Sequence, residues 1–183
     1  MRLEEERRFR EFAADRARSL RRTAYLLCGD WHLADDLAQT TLIKMYRSWS
    51  RLERRGELDA YVRRVLLRTW LDERRRPWRR AENSCSEVPD APDASAGPEE
   101  VADRMEVSGL VHRALLALPP RQRATVVLRY VEDLSVADTA AALRCSTGNV
   151  KSQAARGLDA MRAAIGTAGA GLSACGTARG GDA

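Results

Sequence analysis

The chain has 183 residues, of which 44% are hydrophobic, 31% charged and 5% aromatic, with a formal net charge of +5. That length allows one large or two small domains, and the composition excludes a disordered chain while the scarcity of aromatics argues against a large sandwich or barrel. No apolar run approaches the ~20 residues needed to cross a bilayer, and the N-terminal MRLEEERRFREF lacks a signal-peptide core. A soluble, mostly α-helical, cytoplasmic protein without membrane insertion is expected.

Residues 1–76 read as a first module, with helical patterns over about 5–28, 31–50 and 57–76 separated by the turn signals Gly29-Asp30 and Gly56. Three helices with short connections predict a compact bundle. In the middle helix Leu33, Ala34, Leu37, Ala38, Thr41, Leu42, Met45 and Trp49 form the apolar stripe. Asp35, Asp36, Gln39, Thr40, Lys44 and Arg47 fall outside it. Aspartates at a helix start are explained equally well by the helix dipole or by a face that docks a partner.

The third pattern, ELDAYVRRVLLRTWLDERRR, turns Leu58, Tyr61, Val62, Val65 and Leu66 inward. Arg64, Arg68 and Arg75 then lie within ~40° of one another at 100° per residue, a stripe that could follow a phosphate backbone. Trp70 beside it admits two readings. It is a stacking platform for an unstacked base, or a core residue behind a solvated basic face.

Residues 77–104, PWRRAENSCSEVPDAPDASAGPEEVADR, crowd four prolines among acids and small residues. Such a composition cannot bury enough apolar surface to offset chain entropy, so an extended linker is expected. Charge follows the same division. Residues 1–80 hold 21 Arg and Lys against 13 Asp and Glu, residues 81–107 hold 1 against 8, and residues 108–183 hold 9 against 5. Two basic modules flanking an acidic connector suggest nucleic acid.

The second module, 105–165, carries Pro119-Pro120, which ends one helix and starts the next over about 120–132. Ser135 and Asp138 form a capping-box-like start for a short helix with Val136, Ala140 and Leu143 inward. After the turn Arg144-Cys145-Ser146, Ser146 or Thr147 caps a further helix. This is helix-turn-helix spacing. On the last helix Val150, Ala154, Leu158 and Met161 share one side, and Asn149, Ser152, Gln153 and Arg156 the other, within ~100°. Arg can bond guanine O6 and N7, Asn or Gln adenine N6 and N7, and Ser a phosphate, with no carboxylate on that face to repel DNA. Lys151, on the flank, suits a phosphate. The Gly/Ala/Ser-rich 166–183 is expected to be a flexible tail.

The four cysteines, Cys28, Cys85, Cys145 and Cys175, are scattered without a C-x-x-C pair, and the two histidines, His32 and His112, sit beside no evident ligand or nucleophile. No metal site, disulfide framework, cofactor motif or catalytic constellation is indicated. A non-enzymatic protein is expected.

Taken together, ADDLAQTTLIKMYRSW (34–49), YVRRVLLRTWLDERRR (61–76) and LPPRQRATVVLRYVEDLSVADTAAALRCSTGNVKSQAARGL (118–158) resemble the extracytoplasmic-function (ECF) sigma factors of bacterial RNA polymerase, most of all the actinobacterial sigma-E-like group. The match at 118–158 is the most specific. The resemblance implies an all-α chain of two small helical domains, region 2 at 1–76 and region 4 at 105–165, joined by the acidic linker. It implies that Asp36 and Gln39, with Asp35 and Thr40 beside them, dock on the β′ clamp helices of core RNA polymerase. By the same resemblance Arg64, Arg68, Trp70 and Arg75 take part in melting and reading the −10 element, and Thr147, Asn149, Lys151, Ser152, Gln153 and Arg156 read the −35 element of promoter DNA. An anti-sigma factor is a further partner the family admits. Thr40 stands where the family often has Glu, Arg68 where Asn is common and Gln153 where Arg is usual, so promoter preference does not transfer. The competing reading is a free-standing dimeric helix-turn-helix regulator whose first module dimerises or senses.

Overall fold

The computed structural model describes residues 3–53, 58–75 and 109–176. The expected linker 77–104 and residues 177–183 of the expected tail lie outside them. Every regular element among the described residues is helical.

Helix α1 (Leu3–Cys28) begins with Glu4, Glu5 and Glu6, acids at the positive end of the helix dipole, and is laced by Arg7–Glu11 and Arg10–Glu6 pairs at 2.7 and 2.6 Å. It stops at Gly29, whose φ of +79° favours glycine and whose N–H bonds the Tyr25 carbonyl at 2.8 Å. Asp30 then caps α2 (Trp31–Tyr46), its Oδ1 accepting from Leu33 N at 2.7 Å. The expected single helix over 31–50 is interrupted. Ser48 N turns back to Met45 O, and Trp49 opens a separate α3 (Trp49–Glu53). After that break the Trp49 indole meets Phe9 edge-on and Phe12 at a tilt, with ring centroids at 5.2 and 5.3 Å.

Helix α4 (Leu58–Arg75) buries Val62, Val65 and Leu66 as expected, and Leu67, Thr69 and Trp70 as well. Leu58 and Tyr61 are half-buried. The buried surface is wider than one amphipathic stripe because α4 is covered from two sides: by α1 and α2 within its own module, and by α7 of the second.

The second module is α5 (109–117), α6 (Pro120–Val126), a π-helical turn at Val127–Val131, α7 (Val136–Leu143) and α8 (Thr147–Gly176). Pro120 occupies the first turn of α6, where its missing N–H costs nothing. Ser135 caps α7 by accepting from Asp138 N at 3.0 Å, and Arg144, with φ of 52°, ends it in the left-handed region. Ser146 rather than Thr147 caps α8, its Oγ accepting from Asn149 N at 3.2 Å. Within α7, Ala140 is buried while Val136 and Leu143 are half-buried. Where α8 crosses α6 there is no room for a side chain at Gly157, since a Cβ there would stand 2.8 Å from Val126 Cγ2. The helical backbone of α8 runs to Gly176, past the boundary expected at 165.

The two modules do not keep separate cores. One buried cluster passes from Leu20, Leu27 and Leu37 through Leu66, Leu67 and Trp70 to Leu115, Val127, Leu128 and Ala142.

Candidate nucleic-acid and partner interfaces

Helix α8 is anchored by the face its periodicity assigned to the core. Val150 is fully buried and Ala154 nearly so, against half-buried Leu158 and Met161. Ser152 and Arg156 on the opposite side are exposed, Asn149 and Gln153 are partly exposed, and Gln153 Nε2 donates to Asn149 Oδ1 at 3.4 Å. Lys151 and Thr147 are exposed on the flank. The structure therefore brings all six candidate residues to the exposed or partly exposed N-terminal half of one helix, with amide, hydroxyl, ammonium and guanidinium groups and no carboxylate among them. Such a face can donate to purine edges and phosphates in a major groove.

On α4 the basic stripe divides. Arg68 and Arg75 are exposed, and Arg64 is half-buried with its guanidinium 5.9 Å from the Tyr61 ring centroid. Trp70 is a correction: at 1% exposure it belongs to the core, capped by Arg74 at 5.6 Å, and offers no face to a base. Its one-turn spacing from Leu66 and Leu67 carried that alternative in the sequence.

The α2 face also sorts itself. Asp36 and Gln39 are exposed and Thr40 half-exposed. Asp35 turns back onto α1, where its Oδ1 meets Arg21 Nε at 2.6 Å, and Arg21 lies over the Trp31 ring at 4.6 Å. Asp35 thus braces α2 on α1. The wheel missed Ile43, which is 55% exposed on the same side as Asp36 and Gln39, and Tyr46, 43% exposed and edge-on to Phe9 at 5.0 Å. An apolar pair at the end of a polar stripe suits a protein partner better than solvent. Lys44 reaches Thr69 Oγ1 at 2.8 Å and ties α2 to α4.

Sequence reasoning missed the seam between modules. Arg123, 7% exposed, donates from Nη1 to Leu27 O at 2.8 Å and from Nη2 to Leu118 O at 3.2 Å and to Leu116 O, clamping α1 against the α5–α6 turn. Burial, and secondarily the neighbouring Arg74, depress its pKa to about 10. His112 stacks on Tyr25, which stacks on Trp31, at centroid distances of 4.5 and 3.8 Å. His112 is a packing residue. Glu132, just beyond the π turn, accepts from Arg63 Nε at 2.7 Å and from the Thr23 hydroxyl. Cys28, the last residue of α1, has its thiol pushed up to about 11 by burial. Among the described residues no cluster of metal-ligating side chains occurs, and no helix is long and apolar enough to cross a membrane.

Two helical modules, one ending in a helix-turn-helix with an amide- and arginine-bearing reader face, define a DNA-reading all-α protein. Residues 12–80 match sigma-70 region 2, and residues 108–161 match sigma-70 region 4. The chain is 40% identical over 158 residues to the RNA polymerase sigma-E factor of Streptomyces avermitilis, covering 84% of this chain and 83% of that one. It is 32% identical over 153 residues to the ECF RNA polymerase sigma factor SigE of Mycolicibacterium smegmatis, covering 83% of this chain and 59% of that one. Its fold matches the sigma factor RpoE of Bartonella quintana, solved in complex with the anti-sigma factor NepR, with a TM-score of 0.69 at 22% identity, covering 86% of this chain and 96% of that one. The chain belongs to the sigma-70 family, in its ECF group. It is an alternative sigma factor, a subunit that binds core RNA polymerase and directs promoter-specific initiation.

Proposed function

We propose that the three faces divide the work of initiation among named residues. Asp36, Gln39 and Thr40, with Ile43 at the end of the stripe, dock on the β′ clamp helices; Asp35 supports them by bracing α2. Arg64, Arg68 and Arg75 hold the phosphates of the −10 element as it opens. Asn149, Ser152, Gln153 and Arg156 read the −35 element, while Thr147 and Lys151 bind its backbone. Trp70 contributes to this only by holding α4 in place.

The observation that carries the reading is the α8 face. It projects from a helix seated by the fully buried Val150, so its side chains keep one register while Ser152 and Arg156 remain exposed. Rigid placement of a few bidentate groups is what groove readout requires. Region 2 covers residues 1–76 and region 4 residues 105–165, with the acidic 77–104 between them, and the protein works in the cytoplasm without catalytic chemistry of its own. An anti-sigma factor is a further partner in this reading, as the Bartonella quintana sigma factor of the same fold was solved in complex with one.

Transcription with purified core polymerase on a library of promoter fragments tests the reading. Run-off products that need both the protein and a −35/−10 pair are expected, with little specific duplex binding by the protein alone. A specific shift of a palindromic duplex without polymerase, and no stimulated transcription, would instead identify a dimeric regulator.

A further inference from the structure

We propose that Asn149 and Gln153 act as one reading unit, in which Asn149 turns the Gln153 amide so that Gln153 selects adenine in the −35 element. The inference rests on the assignment of α8 to that element; it adds which base Gln153 takes and which residue sets the choice.

The two side chains stand one turn apart on α8 and are joined, Gln153 Nε2 donating to Asn149 Oδ1 at 3.4 Å. An amide pair at this spacing is a stabilising contact on a helix surface. The backbone beneath Asn149 is held from both sides. Its N–H donates to Ser146 Oγ at 3.2 Å, its carbonyl accepts from Ser152 Oγ at 3.1 Å, and the next residue, Val150, is fully buried. Gln153 likewise precedes the buried Ala154. Both amide residues are half-buried, whereas Ser152 and Arg156 are exposed.

The direction of the bond decides what the pair can read. A free glutamine amide offers one oxygen acceptor and two N–H donors. By turning over, it can meet adenine, which presents the N6 donor and the N7 acceptor, or guanine, which presents the acceptors O6 and N7. With one Nε2 hydrogen spent on Asn149, Gln153 keeps Oε1 and a single N–H, and one acceptor beside one donor is the complement of adenine. Guanine asks for two donors. Taking it would either break the bond to Asn149 or set Oε1 against O6, leaving a polar group unpaired in the groove. Asn149 keeps its Nδ2 hydrogens for a neighbouring acceptor, a thymine O4 or a phosphate. Holding the long Gln153 side chain in place before DNA arrives also lowers the conformational entropy lost on binding. Asn149 is thus a positioning residue for Gln153.

The test uses the full-length protein with core polymerase on a promoter library randomised through the −35 element. The readout is the adenine-to-guanine ratio at the position whose preference Gln153→Ala abolishes. That position should carry adenine for the parent protein. Asn149→Ala leaves the backbone contacts to Ser146 and Ser152 in place and should keep its helical circular dichroism, yet it should lower the ratio about threefold or more, as for one lost hydrogen bond. Asn149→Asp keeps an acceptor for Gln153 Nε2 and should hold the ratio near the parent value, even as its charge weakens transcription overall. A parent preference other than adenine, an unchanged ratio in Asn149→Ala, or a ratio in Asn149→Asp as low as in Asn149→Ala would overturn the pairing while leaving α8 as the reader. A Gln153→Ala profile unchanged at every position would instead remove the reading of the −35 element by Gln153, and the inference with it.

Discussion

Replacing Gly29 by Ala probes the seam between the regions at a single carbon atom. Gly29 has φ of +79°, and a Cβ there would lie 2.7 Å from Leu116 Cδ1 and 3.0 Å from Cδ2. Holding an L-residue in the left-handed region costs about 1–2 kcal/mol. Turning Leu116 aside costs about 0.5–1.5 kcal/mol more, because its half-buried tip can yield at the expense of its rotamer. Gly29→Ala should therefore destabilise the chain by about 2–3 kcal/mol, read as a lower urea midpoint at unchanged slope. The steric part is separable. Leu116→Ala removes the clash but leaves the backbone strain, so in a double-mutant cycle the two substitutions should couple by about 0.5–1.5 kcal/mol. Strict additivity would refute the placement of α5 over the α1–α2 turn, and with it the docking of region 4 at that point.

Asp36→Ala/Gln39→Ala should keep its helical circular dichroism and lose affinity for core polymerase by tenfold or more, about 1.4 kcal/mol; unchanged co-purification would remove the clamp-docking assignment. Arg156→Ala should weaken transcription from −35-dependent promoters by about 1–3 kcal/mol, and Gln153→Arg should change which −35 sequences are selected, so an unaltered selection profile in both would unseat the reader helix. Trp70→Ala should cost about 3–5 kcal/mol in unfolding free energy, as expected for a fully buried indole, while Trp70→Phe keeps promoter opening; loss of opening by a stable Trp70→Phe would restore a base-stacking role. The Cys28 thiol is raised by burial to about 11, so its neutral form is favoured in the fold, and its contribution is intact below pH 9 and lost as pH rises toward 11, amounting to about 2 kcal/mol there. Cys28→Ala should flatten the parent protein's fall in stability between pH 9 and 11, and identical slopes would show the thiol is not shielded.

Local chemistry made much of this protein readable in one dimension. Periodicity placed Val150 and Ala154 inward and Ser152 and Arg156 outward on α8, because one helix seated on one core is what a 3.6-residue pattern encodes. Caps and breakers were equally legible: Gly29-Asp30, Pro120 and Ser135 act through their own backbone geometry and near neighbours. Contacts across long separations had no such signature. Beyond the turn that ends α2, Trp49 packs on Phe9 and Phe12, about forty residues away, and Asp35 is paired with Arg21 of another helix. Trp70 could lie in a core or on a binding face by its own pattern, and the packing around α4 left it 1% exposed. Sequence by itself determined most of the helices, the polar face of α8 and the family; tertiary structure decided where the second helix breaks and which charged groups stay exposed. Glu132, Arg63 and Arg123 look like ordinary surface charges in the chain, and they become a seam because folding places each beside a partner from the other region.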